Sequence, residues 1–238
     1  MKELLIKFLF QIRAVIVRNL LPKSGYFLFS ANPKRSLEPI SKKFGFDRGT
    51  PVDRYYIEKF LEANKGLIEG KCLEIHDNHY TKKYGAEKVT HSDALDVDTD
   101  NKAANIIGDL RNLTNVQSNS YDCLIITHTF GVIDEYERAI AECHRILKPG
   151  GVLLATVSAM GIAWDVKNSF WRFTVASASY VFSKYFKKDL LEVDSYGNVL
   201  SGQAFWVGLG AEELSIEELN HNDKHFPVIV TIKAEKEI

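Results

Sequence analysis

Residues 109–110 (DL), 121–128 (YDCLIITH) and 144–154 (HRILKPGGVLL) decide the fold of this chain. They contain two apolar runs, and a segment with helical spacing of its apolar residues lies between the runs. Nearly continuous apolar runs are typical of strands buried on both faces, which occur in parallel sheets covered by helices. The pattern therefore predicts an α/β sheet. Asp109, Thr127 and His128 follow its strands, at the carboxyl ends where ligands bind.

The same pattern extends to both sides of these segments. A helix is expected after Pro51, where a proline starts an amphipathic segment. The further strands that we predict are 71–75, 88–97, 105–109, 152–157, 191–193, 204–209 and 228–234.

The bulk properties restrict the class of protein. A chain of 238 residues can bury the core of one domain with decorations. Its net charge of -1 gives no broad basic surface, so we expect no nucleic-acid partner. Cys72, Cys123 and Cys143 fall in apolar patterns without a CxxC pair, so we expect reduced core thiols in a cytoplasmic protein and no metal site.

The N-terminal residues 4–21 are mostly apolar, but Lys7, Arg13 and Arg18 argue against a membrane-spanning helix. Three alternatives stay open for residues 1–21: a helix packed on its own domain or on a second copy in a homodimer, a helix on the inner face of the membrane, and an anchor. We assign residues 1–48 to this helix and a linker, and 49–238 to one domain. Within that domain, the aromatic-rich residues 158–190 are predicted to form a lid or insertion.

The segments quoted first resemble the second half of a class I S-adenosylmethionine-dependent methyltransferase. In that family an aspartate of a GDL or GDA motif lies near the adenine, and R-x-LKPGG precedes the fifth strand. Residues 50–61 (TPVDRYYIEKFL) and 77–85 (DNHYTKKYG) are similar to a methyltransferase type 11-like branch associated with polysaccharide biosynthesis. The resemblance implies a Rossmann-like fold with a mostly parallel seven-stranded sheet and helices on both faces. Residues 228–234 are the candidate for its antiparallel strand.

The resemblance also implies S-adenosylmethionine as the cofactor. A glycine-rich turn normally follows the first strand of the family, but residues 73–78 are LEIHDN here, with His76 in place of the first glycine. We still expect His76 in the cofactor site, where its imidazole either points away from the cofactor or replaces a contact of the glycine amides. This is the main departure from the family, because glycine alone reaches positive φ freely. For Glu74 two alternatives stay open: contact with the methionine end of the cofactor, or a cap that satisfies backbone donors.

The carboxylates after the second strand are candidates for accepting the ribose hydroxyls of the cofactor. We favour Asp96 over Asp98, and both over Asp93; the alternative is a solvated acidic loop. Asp109 with Leu110 is the candidate for the adenine pocket, and an ordinary strand-end turn is the alternative.

Three further cofactor contacts are carried by the resemblance alone. They are Thr127 at the end of the fourth strand, and Arg54 and Tyr55 ahead of the sheet.

His128 is the candidate catalytic residue, because a histidine at a strand end can take the proton from a substrate hydroxyl. It is otherwise a pocket wall or a structural histidine. Trp171 and Arg172 are candidates for binding the acceptor, since an arginine among aromatic rings can hold a phosphate or a carboxylate. The alternative for this segment is hydrophobic core or a dimer surface.

The sequence therefore favours O-methylation of a small molecule or a saccharide intermediate. A methyltransferase-like scaffold or interaction module that no longer catalyses is the alternative, and the missing glycines favour it. A nicotinamide-dependent oxidoreductase would need a G-x-G-x-x-G turn after the first strand, which this chain does not have.

Overall fold

The computed structural model describes residues 37–163 and 165–238. The helix predicted at 1–21 lies outside the described residues. The described chain divides into two compact units. One comprises 37–56, Met160–Ile162 and Tyr196–Ile229, and the other comprises Ile57–Ala159, Ala163–Ser195 and Val230–Ile238. Among the described residues, no helix combines the length and the apolar character needed to cross a membrane.

The larger unit is built on a seven-stranded sheet in the order β3-β2-β1-β4-β5-β7-β6. The strands are β1 (Gly70–Ile75), β2 (Val89–Asp96), β3 (Ile106–Ile107), β4 (Tyr121–Thr127), β5 (Leu147–Ser158), β6 (Leu191–Tyr196) and β7 (Ile229–Glu235). β1 to β5 pair in parallel along this order. The chain order reverses direction between β1 and β4, and ligands of such sheets bind at this reversal.

The last strand, β7, is antiparallel to its neighbour β5. The Gly150 amide donates to the Lys236 carbonyl (2.8 Å), and the Lys236 amide donates to the Gly151 carbonyl (2.9 Å). These bonds join the beginning of β5 to the end of β7, as in an antiparallel pair. The predicted mostly parallel seven-stranded sheet is confirmed.

The helices with regular α geometry in the described chain are α1 (Val52–Ala63), α2 (Tyr136–Ile146), α3 (Val175–Phe182), α4 (Val199–Val207) and α5 (Ile216–Asn220). In α2, Ala139, Ile140, Cys143 and Ile146 are fully buried. Their spacing is that of one helix face, which is why the sequence pattern predicted this helix. Cys72, Cys123 and Cys143 are free and buried, as predicted.

The prediction of a strand at 204–209 is wrong, because most of these residues belong to α4. A short apolar run does not distinguish a buried strand from a buried helix. The signal for a helix lies upstream: the Asn198 side chain accepts from the Ser201 amide, and the Ser201 side chain bonds back to the Asn198 amide. Gly208 then ends the helix with a left-handed backbone (φ 74°).

The third strand is shorter than predicted. Only Ile106 and Ile107 of residues 105–109 pair with β2. Single backbone bonds flank this pair: the Asn105 amide donates to the Ala94 carbonyl (3.1 Å), and the Gly108 amide donates to the Asp96 carbonyl (2.9 Å). The Asn105 side chain adds to them, because it accepts from the Ala94 amide (2.8 Å) and donates to Asp93 (2.7 Å).

Candidate functional site

A cavity of about 590 Å³ is lined by residues at the carboxyl ends of β1, β2 and β4 and by residues that follow β3. Sites for small molecules commonly have volumes of roughly 300–1,000 Å³. Five residues that the sequence predicted for the site line this cavity: His76, Asp96, Asp109, Leu110 and His128. They meet because parallel strands end at the same edge of a sheet.

Asp96 is the last residue of β2, and internal donors reach both of its oxygens. Oδ1 accepts from the Asp98 amide (3.0 Å), and Oδ2 accepts from Asn101 Nδ2 (2.6 Å) and lies 2.9 Å from His76 Nδ1. Partial burial opposes ionisation, but these hydrogen bonds hold the pKa of Asp96 below its usual value. The cavity therefore presents an ionised carboxylate at neutral pH.

The other two ribose candidates occupy different surroundings. The Asp98 carboxylate is exposed and accepts from the Asp100 amide (2.8 Å). Asp93 is buried in the sheet and accepts from the Tyr121 hydroxyl (2.7 Å). Of the three, Asp96 is the one that lines the cavity.

His76 has a left-handed backbone, with φ at 73°, a conformation that glycine reaches more readily than other residues. Its amide donates to the Leu95 carbonyl (2.8 Å), and its carbonyl accepts from Asn101 Nδ2 (2.7 Å). These bonds hold the residue in the left-handed region, which costs a residue with a Cβ roughly 1–2 kcal/mol. The side chain is 72% exposed, so the ring stands in the cavity and is not packed in the core.

Glu74 is buried and acts as an internal cap. Its carboxylate accepts from the amides of Tyr80 (3.1 Å) and Thr81 (2.7 Å), where a short helical turn at Thr81–Gly85 begins. Burial raises the pKa of Glu74 to about 7, against the lowering effect of these hydrogen bonds. The observed contacts are those of the second alternative that the sequence left open for Glu74.

Asp109 is paired with Arg111, which the sequence pattern did not indicate as a site residue. Arg111 Nε donates to both Asp109 oxygens (3.0 Å each), Nη2 donates to Oδ2 (2.6 Å), and Nη1 donates to Asp134 (2.6 Å). The Arg111 guanidinium lowers the pKa of Asp109. The signal available in the sequence was an arginine two positions after Asp109, in the turn that follows β3. Leu110, between them, is buried and forms an apolar part of the lining.

His128 follows β4 directly and also has a left-handed backbone (φ 52°). Its amide donates to the Thr156 carbonyl (2.8 Å), and its Nδ1 lies 3.2 Å from the Ser158 hydroxyl oxygen. Thr127 ends β4, and its carbonyl accepts from the Thr129 hydroxyl (3.0 Å). The ends of β4 and β5 thus fix the position of the His128 ring beside the cavity.

Trp171 is anchored outside the cavity lining. Its Nε1 donates to the carbonyls of Ile133 (3.0 Å) and Asp134 (3.1 Å), and its ring lies edge-on to Tyr136. Arg172 Nη1 donates to the Trp171 carbonyl (2.8 Å). The residues of this segment that line the cavity are Asp165, Asn168 and Phe170. Acceptor binding by Trp171 and Arg172 stays a prediction.

Arg54 and Tyr55 lie in α1, within the part that belongs to the smaller unit. There the Tyr55 hydroxyl donates to Asn220 (3.1 Å). Their contact with a cofactor also stays a prediction.

Comparison with known proteins supports the fold and the cofactor class. Residues 71–155 match the family described as "Methyltransferase domain". A search of curated proteins gives no match to this sequence.

Solved structures similar to this chain share its fold at low sequence identity. One is the methyltransferase bound to the Trm112 methyltransferase activator of Haloferax volcanii (TM-score 0.53, 18% identity, 78% of this chain and 92% of that chain). Another is an S-adenosylmethionine-dependent methyltransferase of Thermotoga maritima (TM-score 0.50, 19% identity, 77% and 93%). The [4+2]-cyclase SpnF is also similar (TM-score 0.52, 13% identity, 80% and 85%).

Sheet order, cavity position and these comparisons agree. The chain has the class I S-adenosylmethionine-dependent methyltransferase fold, and its residues 71–155 match a methyltransferase domain, which implies S-adenosylmethionine as the cofactor.

Proposed function

We propose that this protein transfers the methyl group of S-adenosylmethionine to a hydroxyl oxygen of a small-molecule or saccharide acceptor. The observation that carries the proposal is the convergence of Asp96, Asp109 and His128 on one cavity at the strand ends. Two of these are carboxylates after β2 and β3, where the resemblance to class I methyltransferases implies contacts with the cofactor. The third is a histidine able to accept a proton.

The residues present fit the cofactor in size and in donor set. Asp96 is the acceptor for the ribose hydroxyls, and Leu95 and Leu110 supply apolar lining for the adenine ring. Asp109 is the acceptor for the adenine amine, although it shares its oxygens with Arg111. When bound, the cofactor supplies a methyl group on a positively charged sulfur, which makes that carbon electrophilic.

His128 is proposed to take the proton that the acceptor hydroxyl loses. The Ser158 hydroxyl, 3.2 Å from Nδ1, orients the ring. The other ring nitrogen, Nε2, is buried, so binding of the acceptor must expose it before it can take the proton. General base catalysis of this kind contributes typically 10²–10⁴-fold, while alignment of the reacting atoms contributes independently. The site therefore needs no further charged catalytic partner.

The acceptor is proposed to lie against the segment that reaches the cavity after β5. Phe170 is 47% exposed, and Asp165 and Asn168 stand near it in the lining. An aromatic ring beside amide and carboxylate groups suits a ligand with one apolar face and several hydroxyls. This combination supports a saccharide or another polyhydroxylated acceptor.

The second candidate function is a scaffold that has lost catalysis. The observation that favours it is His76, whose ring stands in the cavity beside Asp96 where the family has a glycine. Fold likeness does not separate the two functions, because one fold carries different chemistries.

A methyl-transfer assay tests the proposal. Purified protein is incubated with methyl-labelled S-adenosylmethionine and a panel of mono- and oligosaccharides, and labelled product is counted. We expect labelling that falls roughly 10²-fold or more in His128→Asn with unchanged cofactor affinity. Asparagine tolerates the left-handed backbone at this position. His225→Asn, at an exposed histidine, is the control and should keep full activity. Equal rates in wild type and His128→Asn would remove the base assignment.

A further inference from the structure

His76, the residue that departs most from the family pattern, is hydrogen-bonded to Asp96, the carboxylate proposed to bind the ribose of the cofactor. His76 Nδ1 lies 2.9 Å from Asp96 Oδ2, and the same oxygen accepts from Asn101 Nδ2 at 2.6 Å. The Asp98 amide takes the other oxygen at 3.0 Å. Both Asp96 oxygens are therefore engaged by donors of the protein itself.

The arrangement holds residue 76 and Asp96 together. Asn101 Nδ2 donates to the His76 carbonyl (2.7 Å) as well as to the Asp96 carboxylate. The left-handed backbone of His76, fixed by its bond to Leu95, directs the ring towards Asp96. The ring remains 72% exposed, so little packing opposes its departure.

We propose that His76 is an internal latch on the ribose subsite. Its imidazole occupies the Asp96 oxygen that a ribose hydroxyl of the cofactor would use, and cofactor binding exchanges one hydrogen bond for the other. This inference rests on the proposed function, since it takes Asp96 as the ribose carboxylate. A binding-competent state that is only partly populated lowers the apparent affinity by its population. The latch therefore sets the cofactor concentration at which the site fills.

Two substitutions of His76 distinguish the effect of its hydrogen bond to Asp96 from the effect of its left-handed backbone. Glycine keeps the left-handed backbone and removes the side chain. Asparagine also tolerates that backbone, and its Nδ2 is separated from Cα by as many bonds as the histidine Nδ1, so it retains a donor for Asp96. His79→Asn, at an exposed histidine three residues further on, is the matched control.

The experiment is calorimetric titration of S-adenosylhomocysteine into wild type, His76→Gly, His76→Asn and His79→Asn, with thermal melts to verify folding. We expect His76→Gly to bind about tenfold more tightly than wild type, since one hydrogen bond to a charged group no longer competes. His76→Asn and His79→Asn should stay within about threefold of wild type. In the wild type, the imidazole nitrogen resonances of His76 should shift when the ligand is added.

Each other outcome counts against the latch. Equal or weaker binding by a folded His76→Gly overturns it and leaves the proposed function standing. Binding by His76→Asn as tight as that of His76→Gly would attribute the effect to ring bulk and overturn the hydrogen-bond exchange. Absence of binding in every variant overturns the proposed function together with the latch.

Discussion

At the scale of single residues, Asp96 and Asp98 stand two positions apart but have different surroundings. The first lines the cavity with a lowered pKa, and the second caps an exposed turn. We expect Asp96→Asn to weaken S-adenosylhomocysteine binding by roughly 1.5–3 kcal/mol for each hydrogen bond to charge that is lost. Asp98→Asn is the matched control and should bind as wild type does. Calorimetry measures the affinity of each variant. Equal affinities would contradict the assignment of Asp96 as the acceptor for the ribose hydroxyls.

The raised pKa of Glu74 predicts that the contribution of this residue to the stability of the folded protein falls as the pH rises. Burial raises its folded-state pKa from 4.5 to about 7, so the folded protein holds this proton more tightly than the unfolded chain does. The stabilising contribution is complete below about pH 4.5 and is lost as the pH rises through about 7. Glu74→Gln resembles the protonated side chain and should remove this dependence. The free energy of unfolding of Glu74→Gln, minus that of wild type, should therefore increase between these two pH values.

Urea denaturation at several pH values measures this difference. The expected size is on the order of 2–3 kcal/mol over the whole range. A difference that is flat with pH would mean that Glu74 titrates normally.

The sequence located the strand-end residues but not their partners. Asp96, Asp109 and His128 were predictable because each follows an apolar strand. The bonds from His76 to Asp96 and from Arg111 to Asp134 join residues 20 and 23 positions apart. They depend on the register of the sheet and on left-handed backbones, which no local pattern of residues specifies.

At the scale of secondary-structure elements, one buried side chain joins two helices. Asn198 Oδ1 accepts from the Ser201 amide at the start of α4 (2.9 Å). Its Nδ2 donates to the carbonyls of Glu218 and His221 at the end of α5 (2.7 Å each). Loss of this side chain leaves the buried Ser201 amide and the carbonyls of Glu218 and His221 without these bonds.

We expect Asn198→Ala to lower the free energy of unfolding by roughly 2–4 kcal/mol, from a lost cap on α4 and from two carbonyls of α5 that lose their donor. Ser215→Ala removes the exposed cap of α5 and should cost only about 1 kcal/mol. Chemical denaturation compares the two variants. Equal losses would mean that Asn198 serves α4 alone.

The elements that the sequence predicted best have long and regular patterns. The apolar positions of α2 repeat at helical spacing, and β4 contains the continuous buried run 123–126. The strand expected at 204–209 was wrong because its apolar residues fit either type of element. The capping box at Asn198 and Ser201, upstream of that run, was the decisive local signal.

At the scale of the whole molecule, the family match covers residues 71–155, which contain β2 to β4 and most of β1 and β5. β6 and β7 complete the order of the sheet from residues beyond that match. The similar structures include a methyltransferase and the cyclase SpnF, so the architecture alone does not choose the reaction. Binding of S-adenosylmethionine in the cavity would distinguish a methyltransferase from a scaffold.

Calorimetric titration of the 238-residue chain with S-adenosylhomocysteine is the measurement that tests the proposed function most directly. We expect saturable binding of one molecule per chain, weakened at least tenfold by Asp96→Asn. Absence of binding by a folded protein at saturating ligand would contradict it and would favour the scaffold function.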